Sequence, residues 1–291
     1  MSVRDHIRLK QLSSDHRTKA DNSNKTQQNR QRLLDMPSFG TVSASIEGEV
    51  GAVILTEHTL SPGVLVGIVR ACAWLEEMRP KVVTITGSGT SFSYGFDLSN
   101  LGVSAADATI EMADLGRRAV EALERVSAVT VAVIRGRCVG GGLVLVSACD
   151  IRVAEEGSLF SLPELSIGIP LAWGAIPRLV AQIGPVRCRE LVLSGRTFSA
   201  HQLEAWGFLS RVVRSADVPA VVESLVQRVS ALPRFALQCT KQAVNAATTS
   251  MVNPATAWSD ASVLVASFHE KETQQRMLQY RTLLGSKQSK L

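Results

Sequence analysis

Three consecutive glycines at 140–142 open a run that otherwise resembles a buried helix. Each interior glycine costs a helix about 1 kcal/mol relative to alanine, so the triplet indicates a sharp turn or a close approach that side chains would block. A second glycine-bearing turn, GSGTSFSYGFDLSN at 87–100, also follows an apolar stretch. Two such turns brought together could point two unpaired backbone N–H groups at one carbonyl oxygen, which is an oxyanion hole. For the triplet alone, a close crossing of a helix and a strand explains the glycines equally well.

Other residue patterns that carry chemistry are not found in the sequence. The triplet matches neither G-x-G-x-x-G nor G-x-x-x-x-G-K-[ST], so a nucleotide-binding loop is not indicated. No Cys/His cluster has metal-ligand spacing, and neither a Ser-His-Asp order nor a nucleophile elbow stands out. The five cysteines are odd in number and scattered among apolar neighbours, which is typical of reduced, mostly buried thiols in a cytoplasmic protein. We therefore predict no metal site.

Both turns lie where short apolar strands alternate with helices. The pattern predicts two strands within 42–55, a helix over 63–78, a strand over 81–87, a helix over 105–126, and strands over 130–136 and 150–156. Beyond Gly184 the pattern is helical. Such alternation indicates an α/β fold with parallel strands, whose ligands gather outside the carboxyl ends of the strands. The two glycine-bearing turns are predicted to lie at those ends.

The basic charge of the 291-residue chain is concentrated at its amino end. Residues 1–40 hold eight Lys/Arg and four Asp, a net charge of +4 out of +5. Residues 1–37 are polar and lack an apolar period, so we predict a disordered extension, with a tail that binds nucleic acid or protein as the alternative. No apolar run approaches the ~18–20 residues of a membrane span, and no signal peptide is visible. We expect no membrane association.

Four stretches between 81 and 212 match a known pattern in order and at appropriate spacing. They are GSGTSFSYGFDL, VAVIRGRCVGGGLVLVSACDIRVAEEGSLFSLPELSIGI, WGAIPRLV and ELVLSGRTFSAHQLEAWGFLSRVV. Together they resemble the crotonase superfamily, the enoyl-CoA hydratase/isomerase family. The resemblance implies a repeated ββα spiral core over 38–232 and a helical C-terminal trimerisation region over 233–291. It also implies an acyl-CoA substrate, no cofactor besides the coenzyme A of that substrate, and a homotrimer or homohexamer. A cytoplasmic location is expected from the cysteines.

The resemblance assigns roles within the two glycine-bearing turns. It makes the backbone N–H groups of Phe96 and Gly141 the oxyanion-hole donors, in agreement with the turns themselves. Tyr94 stands where the family usually has a small residue, so it either narrows the substrate pocket, supplies a phenol, or packs. The segment TEHTLSPG at 56–63 lacks an Asn-Ala pair that family members often carry near a CoA-contacting turn, so no CoA contact is assigned. Arg178 is interpreted as structural or as a weak phosphate contact.

The carboxylates indicate the reaction. Family hydratases place one Glu two residues after the triplet and a second in a Pro-Glu pair; here Pro163-Glu164 is intact, but Val144 takes the first position. Valine can neither hold a water nor move a proton. The resemblance therefore makes Glu164 a single catalytic base, beside Val144 in the substrate pocket, and favours Δ3,Δ2-enoyl-CoA isomerisation. Apolar neighbours (Leu162, Leu165, Ile167) should raise the pKa of Glu164 and make it a better base.

Several alternatives stay open at this point. Weak or altered enoyl-CoA hydration would need a recruited second acid such as Asp97, although the resemblance makes Asp97 a structural position. Glu155 and Glu156 are interpreted as solvated surface acids. Decarboxylation of an acyl thioester also needs only an oxyanion hole and a suitable pocket. A non-catalytic acyl-CoA-binding or nucleic-acid-binding protein is the remaining alternative, with nucleic acid expected only through the basic tail.

Overall fold

The computed structural model describes residues 37–97, 110–253, 257 and 259–288. The predicted extension at 1–37, apart from its last residue, lies outside the described residues, as does the start of the helix predicted over 105–126. The remaining predicted strands and helices can be compared directly with the structure.

Strands and helices alternate from residue 42 onward. The strands are β1 (Val42–Glu47), β2 (Val50–Leu55), β3 (Val82–Gly87), β4 (Val129–Ile134), β5 (Arg137–Val139), β6 (Ile151–Glu155), β7 (Leu159–Ser161), β8 (Phe198–Ser199) and β9 (Arg211–Val213). The helices are α1 (Pro62–Met78), α2 (Ile110–Arg125), α3 (Gly141–Ser147), α4 (Ala175–Leu193), α5 (Ala200–Ala205), α6 (Val218–Ser230), α7 (Arg234–Met251), α8 (Asp260–Ser267) and α9 (Lys271–Gln288), with 3-10 turns at Glu164–Ile167 and Ser215–Asp217.

The main sheet has the order β1-β2-β3-β4-β6-β9. Its first pair is antiparallel and every following pair is parallel, as the alternation of strands and helices predicted. Short strands β5, β7 and β8 form a second sheet beside it. These strands and β9 were not predicted individually, because two or three residues are too few to show a period of two.

Apolar side chains cover both faces of the main sheet. On one face, α6 packs three valines (Val218, Val222, Val226) against four valines of β3, β4 and β6. On the other face, α1, α2 and α3 contribute to the larger core cluster. Strands that are buried on both faces need apolar residues at successive positions, which explains stretches such as VAVI in β4. The layers therefore hold the carboxyl ends of β3 and β4 side by side.

Local capping interactions fix the starts of two helices. Ser61 accepts a hydrogen bond from the Val64 N–H at the start of α1. Ser199 and Gln202 form a capping box at the start of α5. Helix α4 begins earlier than predicted and is kinked at Gly184, whose φ of 76° and ψ of 163° interrupt the helix before Pro185. The predicted helical segment beyond Gly184 is thus the second half of a longer, bent helix.

Helices dominate the segment after residue 233, as predicted. Helix α7 has no buried residue, whereas α8 packs against α2 and α9 packs against the 3-10 turn at Glu164–Ile167. In the described part of the chain, no helix is both long and apolar enough to cross a membrane. The C-terminal helices therefore reach the same end of the molecule as the two glycine-bearing turns.

Candidate active site

The two glycine-bearing turns meet, as their positions after β3 and β4 predicted. The Val139 N–H donates to the Ser93 carbonyl at 2.9 Å, and the Phe92 N–H donates to the Arg137 carbonyl at 3.0 Å. Gly95 lies directly against the triplet: a Cβ built on it would be 2.9 Å from the Val139 carbonyl oxygen and 3.4 Å from the Gly141 nitrogen. Backbone hydrogen bonds thus hold the turns in register, and the missing side chain at Gly95 lets them touch.

The predicted donors, Phe96 and Gly141, lie on either side of this contact. Phe96 follows Gly95, and Gly141 is the first residue of α3, where a backbone N–H has no partner inside the helix. Neither N–H donates to a backbone carbonyl among the described residues. Two free donors at the meeting point of the two turns can stabilise one developing negative charge. The positive end of the α3 dipole, at Gly141, adds to this stabilisation.

Each glycine of the triplet has a different reason to lack a side chain. Gly140 has φ of 53° and ψ of −126°, a conformation that L-residues avoid, and its Cβ would lie 2.7 Å from Oε1 of Glu164. A Cβ on Gly141 would lie 2.4 Å from the Trp173 ring, and one on Gly142 would lie 2.8 Å from Cβ of Ser93. Close packing and a backbone N–H without a backbone acceptor therefore occur together here.

Glu164 opens a 3-10 turn and directs its carboxylate at the triplet. Its Oε1 borders Gly140, and its Oε2 is buried without a hydrogen-bond partner among the described residues. Burial raises the pKa of Glu164 from its ordinary 4.5 to about 7, and a hydrogen bond from its own backbone N–H opposes part of that rise. The predicted rise in pKa is confirmed. Leu162 and Ile167 are buried as expected, whereas Leu165 is 41% exposed and contributes little to the desolvation.

The C-terminal helices support the turn that carries Glu164. Gly168 ends the turn with a φ of 88°, and a Cβ there would lie 2.8 Å from Cα of Thr273 in α9. The Thr273 hydroxyl donates to the Gly168 carbonyl at 2.6 Å. Ile167 and Ile169 pack with Phe268, which follows α8. A segment more than a hundred residues away in sequence therefore holds the Glu164 turn in place.

The other residues considered from the sequence lie around this centre. Val144 is 1% exposed in the main core, two residues after the triplet. Tyr94 is 48% exposed, packs edge-on against His58 and shares a hydrogen bond with Ser91. Asp97, next to Phe96, is half-buried. No cluster of three or more His, Cys, Asp or Glu side chains capable of holding a metal occurs in the described ranges.

Trp173 belongs to the site, although no role was predicted for it. Its ring is 8% exposed and meets the Phe96 ring edge-on, with 5.9 Å between the centroids. Arg178 supports the turn beneath it by donating to the carbonyls of Trp173 and Gly174, at 3.0 and 2.9 Å. The structural interpretation of Arg178 is confirmed. The only sequence signal for Trp173 was a large aromatic residue beside a glycine in the segment after Pro163-Glu164.

A family model and two curated proteins match the chain in sequence. A family model described as "Enoyl-CoA hydratase/isomerase" matches residues 49–283. The chain is 40% identical over 150 residues to the mevalonyl-coenzyme A hydratase sidH of Aspergillus fumigatus, a match that covers 51% of this chain and 55% of that protein. It is 28% identical over 258 residues to a Mycobacterium tuberculosis protein named "Probable enoyl-CoA hydratase echA8", covering 82% and 98% respectively. The chain thus spans little more than half of the first relative and nearly all of the second.

A solved structure of similar sequence has the same fold. The enoyl-CoA hydratase from Mycobacterium avium subsp. paratuberculosis K-10 superposes with a TM-score of 0.75 and 25% sequence identity, covering 82% of this chain and 98% of that one. This confirms the predicted α/β fold, with a ββα core followed by a helical C-terminal region. It also relates the contact between the two glycine-bearing turns to a known architecture.

Proposed function

The chain belongs to the enoyl-CoA hydratase/isomerase family, and from this premise we propose that it shifts the double bond of an enoyl-CoA with Glu164 as its single base. One observation carries the proposal: a buried carboxylate with a pKa near 7 borders Gly140, directly before the Gly141 N–H, which has no backbone acceptor among the described residues. Val144, where family hydratases place their other acid, is an alkyl side chain buried in the core. The site therefore offers one proton-transfer group and one anion-stabilising group.

These groups suffice for isomerisation through a thioester enolate. The Glu164 carboxylate removes a proton from C2 of a 3-enoyl-CoA, and the electron pair of that C–H bond delocalises onto the thioester oxygen. The N–H groups of Phe96 and Gly141 stabilise the oxyanion; loss of one such donor typically lowers rates by about 10²–10³. Glu164 then returns the proton to C4, the C3–C4 double bond moves to C2–C3, and the carboxylate is regenerated. The proposed reaction requires no cofactor besides the coenzyme A of the substrate.

A paired assay tests the proposed reaction. The full-length protein is incubated with 3-hexenoyl-CoA and, separately, with 2-hexenoyl-CoA, and the product is analysed for mass and for double-bond position. We expect the 3-enoyl thioester to become the 2-enoyl thioester without a change in mass. A gain of one water from the 2-enoyl thioester, with no isomer formed from the 3-enoyl thioester, would contradict single-base isomerisation.

Hydration is the second candidate, and the names of the relatives favour it. Both curated relatives and the superposed structure are called hydratases. Hydration would require Glu164 to activate a water alone or with a second acid. Its buried, unpartnered Oε2 is a position where a water could be held. The same paired assay separates this candidate from isomerisation through the mass of the product.

Activity should depend on pH through Glu164. A base accepts the C2 proton only when it is deprotonated, and burial raises the pKa of this carboxyl to about 7. We therefore expect kcat/KM to fall about tenfold per pH unit below about pH 7 and to level off above it. The exposed Glu156 provides the control, since Glu156→Gln should leave the profile unchanged. A rate that is flat between about pH 5 and about pH 8 would contradict Glu164 as the base.

We also propose that copies of the chain associate through the C-terminal helices. Large apolar side chains of α7 are exposed, including Phe235 at 79%, Met251 at 77% and Val244 at 58%. Val244 and Met251 are seven residues apart and therefore lie on one side of α7, and large exposed apolar side chains of this kind are typical of an interface. For a chain of 31.3 kDa, light scattering should give about three or six times the monomer mass. A monomer at micromolar concentration would refute the association.

A further inference from the structure

Trp173 fills a slot between the oxyanion turns and helix α2. A Cβ on Gly141 would lie 2.4 Å from Cζ3 of the indole. On the opposite side of the ring, a Cβ on Gly116 of α2 would lie only 1.8 Å from Cε2. The indole thus lies between two glycines whose missing side chains leave room for it. The ring of Trp173 also contacts the ring of Phe96, whose backbone N–H is the second predicted oxyanion-hole donor.

The backbone beneath the indole is strained and firmly held. Trp173 and Gly174 both have left-handed conformations, with φ of 65° and 68°, and a bulky residue rarely adopts this conformation. Asp260 of α8 accepts a hydrogen bond from the Gly174 N–H at 2.9 Å. Arg178 donates to both carbonyls of the turn, and its guanidinium is fixed by a bidentate pair with Glu124, at 3.0 and 2.9 Å. Three elements therefore hold one indole in one position.

From this placement we infer that Trp173 is a specificity-determining residue that restricts the site to short-chain acyl-CoA thioesters. The inference rests on the proposed function, because it assumes that the thioester oxygen binds the N–H groups of Phe96 and Gly141. An acyl group anchored there lies beside the indole, whose ring already occupies the space between the donors and α2. Along the described residues between the donors and α2, a long chain can enter only if the ring moves, and the strained, hydrogen-bonded turn opposes such movement.

Binding of saturated acyl-CoAs tests this inference without requiring turnover. Dissociation constants for butyryl-CoA and decanoyl-CoA are measured by calorimetry for the full-length wild type, Trp173→Ala and Trp173→Phe. The wild type should prefer butyryl-CoA. Each newly buried methylene raises affinity about fourfold, so Trp173→Ala should shift the affinity ratio toward decanoyl-CoA by at least about tenfold. Trp173→Phe should shift it less, and it replaces the alanine variant if that variant does not fold.

A second tryptophan provides the matched control. Trp206 packs against Phe198, and Trp206→Ala should leave the affinity ratio unchanged. An unchanged ratio in the Trp173 variants, or a wild type that already prefers decanoyl-CoA, would overturn the inference. A shifted ratio in a protein that does not isomerise 3-hexenoyl-CoA would overturn only the proposed reaction. Absence of binding to either thioester would overturn both.

Discussion

Replacing Glu164 with glutamine is expected to lower kcat for enoyl-CoA isomerisation by about 10²–10⁴, because an amide cannot take up the C2 proton. Glutamine keeps the length of the side chain, so it fits the space that Gly140 leaves beside Oε1. The N–H groups of Phe96 and Gly141 are untouched, and KM for the acyl-CoA should therefore change little. Steady-state kinetics with 3-hexenoyl-CoA measure both quantities for the wild type and the variant.

Stability measurements separate this effect from misfolding. The folded state binds more protons than the unfolded state between pH 4.5 and about 7, because burial raises the pKa of Glu164. The carboxyl therefore destabilises the fold increasingly as pH rises through that window, and the cost is absent below it. Glutamine lacks this cost, so Glu164→Gln should be about 1–3 kcal/mol more stable than wild type near pH 8 and similar near pH 4. Turnover within about threefold of wild type would refute Glu164 as the base.

Local patterns in the sequence predicted most of the fold. The strands β2, β3 and β4 were visible as short apolar stretches. The meeting of the two glycine-bearing turns followed from topology, since parallel neighbours bring their carboxyl ends together. These features depend on interactions within a few residues or on a general rule of sheet architecture, so one sequence suffices to predict them.

Features set by distant contacts could not be predicted. The support of the Glu164 turn by Thr273 links residues that no local pattern connects. Arg178 and Asp260 hold Trp173 and Gly174 in left-handed conformations through hydrogen bonds. Backbone propensity alone would predict a negative φ for a tryptophan. In each case tertiary structure overrides what the nearby residues prefer.

The structure combines the two explanations that the sequence left open for the glycine triplet. Gly141 and Gly142 allow close contact with Trp173 and Ser93, which is the packing explanation. Gly140 instead faces the carboxylate of Glu164, and the N–H of Gly141 remains unpaired, which is the chemical explanation. Both follow from one requirement: a substrate, a base and a backbone donor must approach within a few ångströms of the same main chain.

That requirement makes Gly140→Ala the second substitution with a large expected effect. The new Cβ would lie 2.7 Å from Oε1 of Glu164, so the carboxylate must move, and φ of 53° adds backbone strain. Misplacing a catalytic group by about 1 Å can cost about 10²-fold, and we expect kcat/KM for 3-hexenoyl-CoA to fall by at least that factor. The same kinetic assay used for the Glu164 variant measures the loss.

The variant Gly48→Ala is the control that distinguishes the effect of displacing Glu164 from the effect of backbone strain. Gly48 has φ of 59° in the turn between β1 and β2, and a Cβ there would have no neighbour within 4 Å. Gly48→Ala should therefore lose about 1–2 kcal/mol of stability from left-handed strain and keep its activity. If folded Gly140→Ala retained activity as well, the carboxylate of Glu164 would not need its present position beside the triplet. The base would then have to be sought elsewhere in the site.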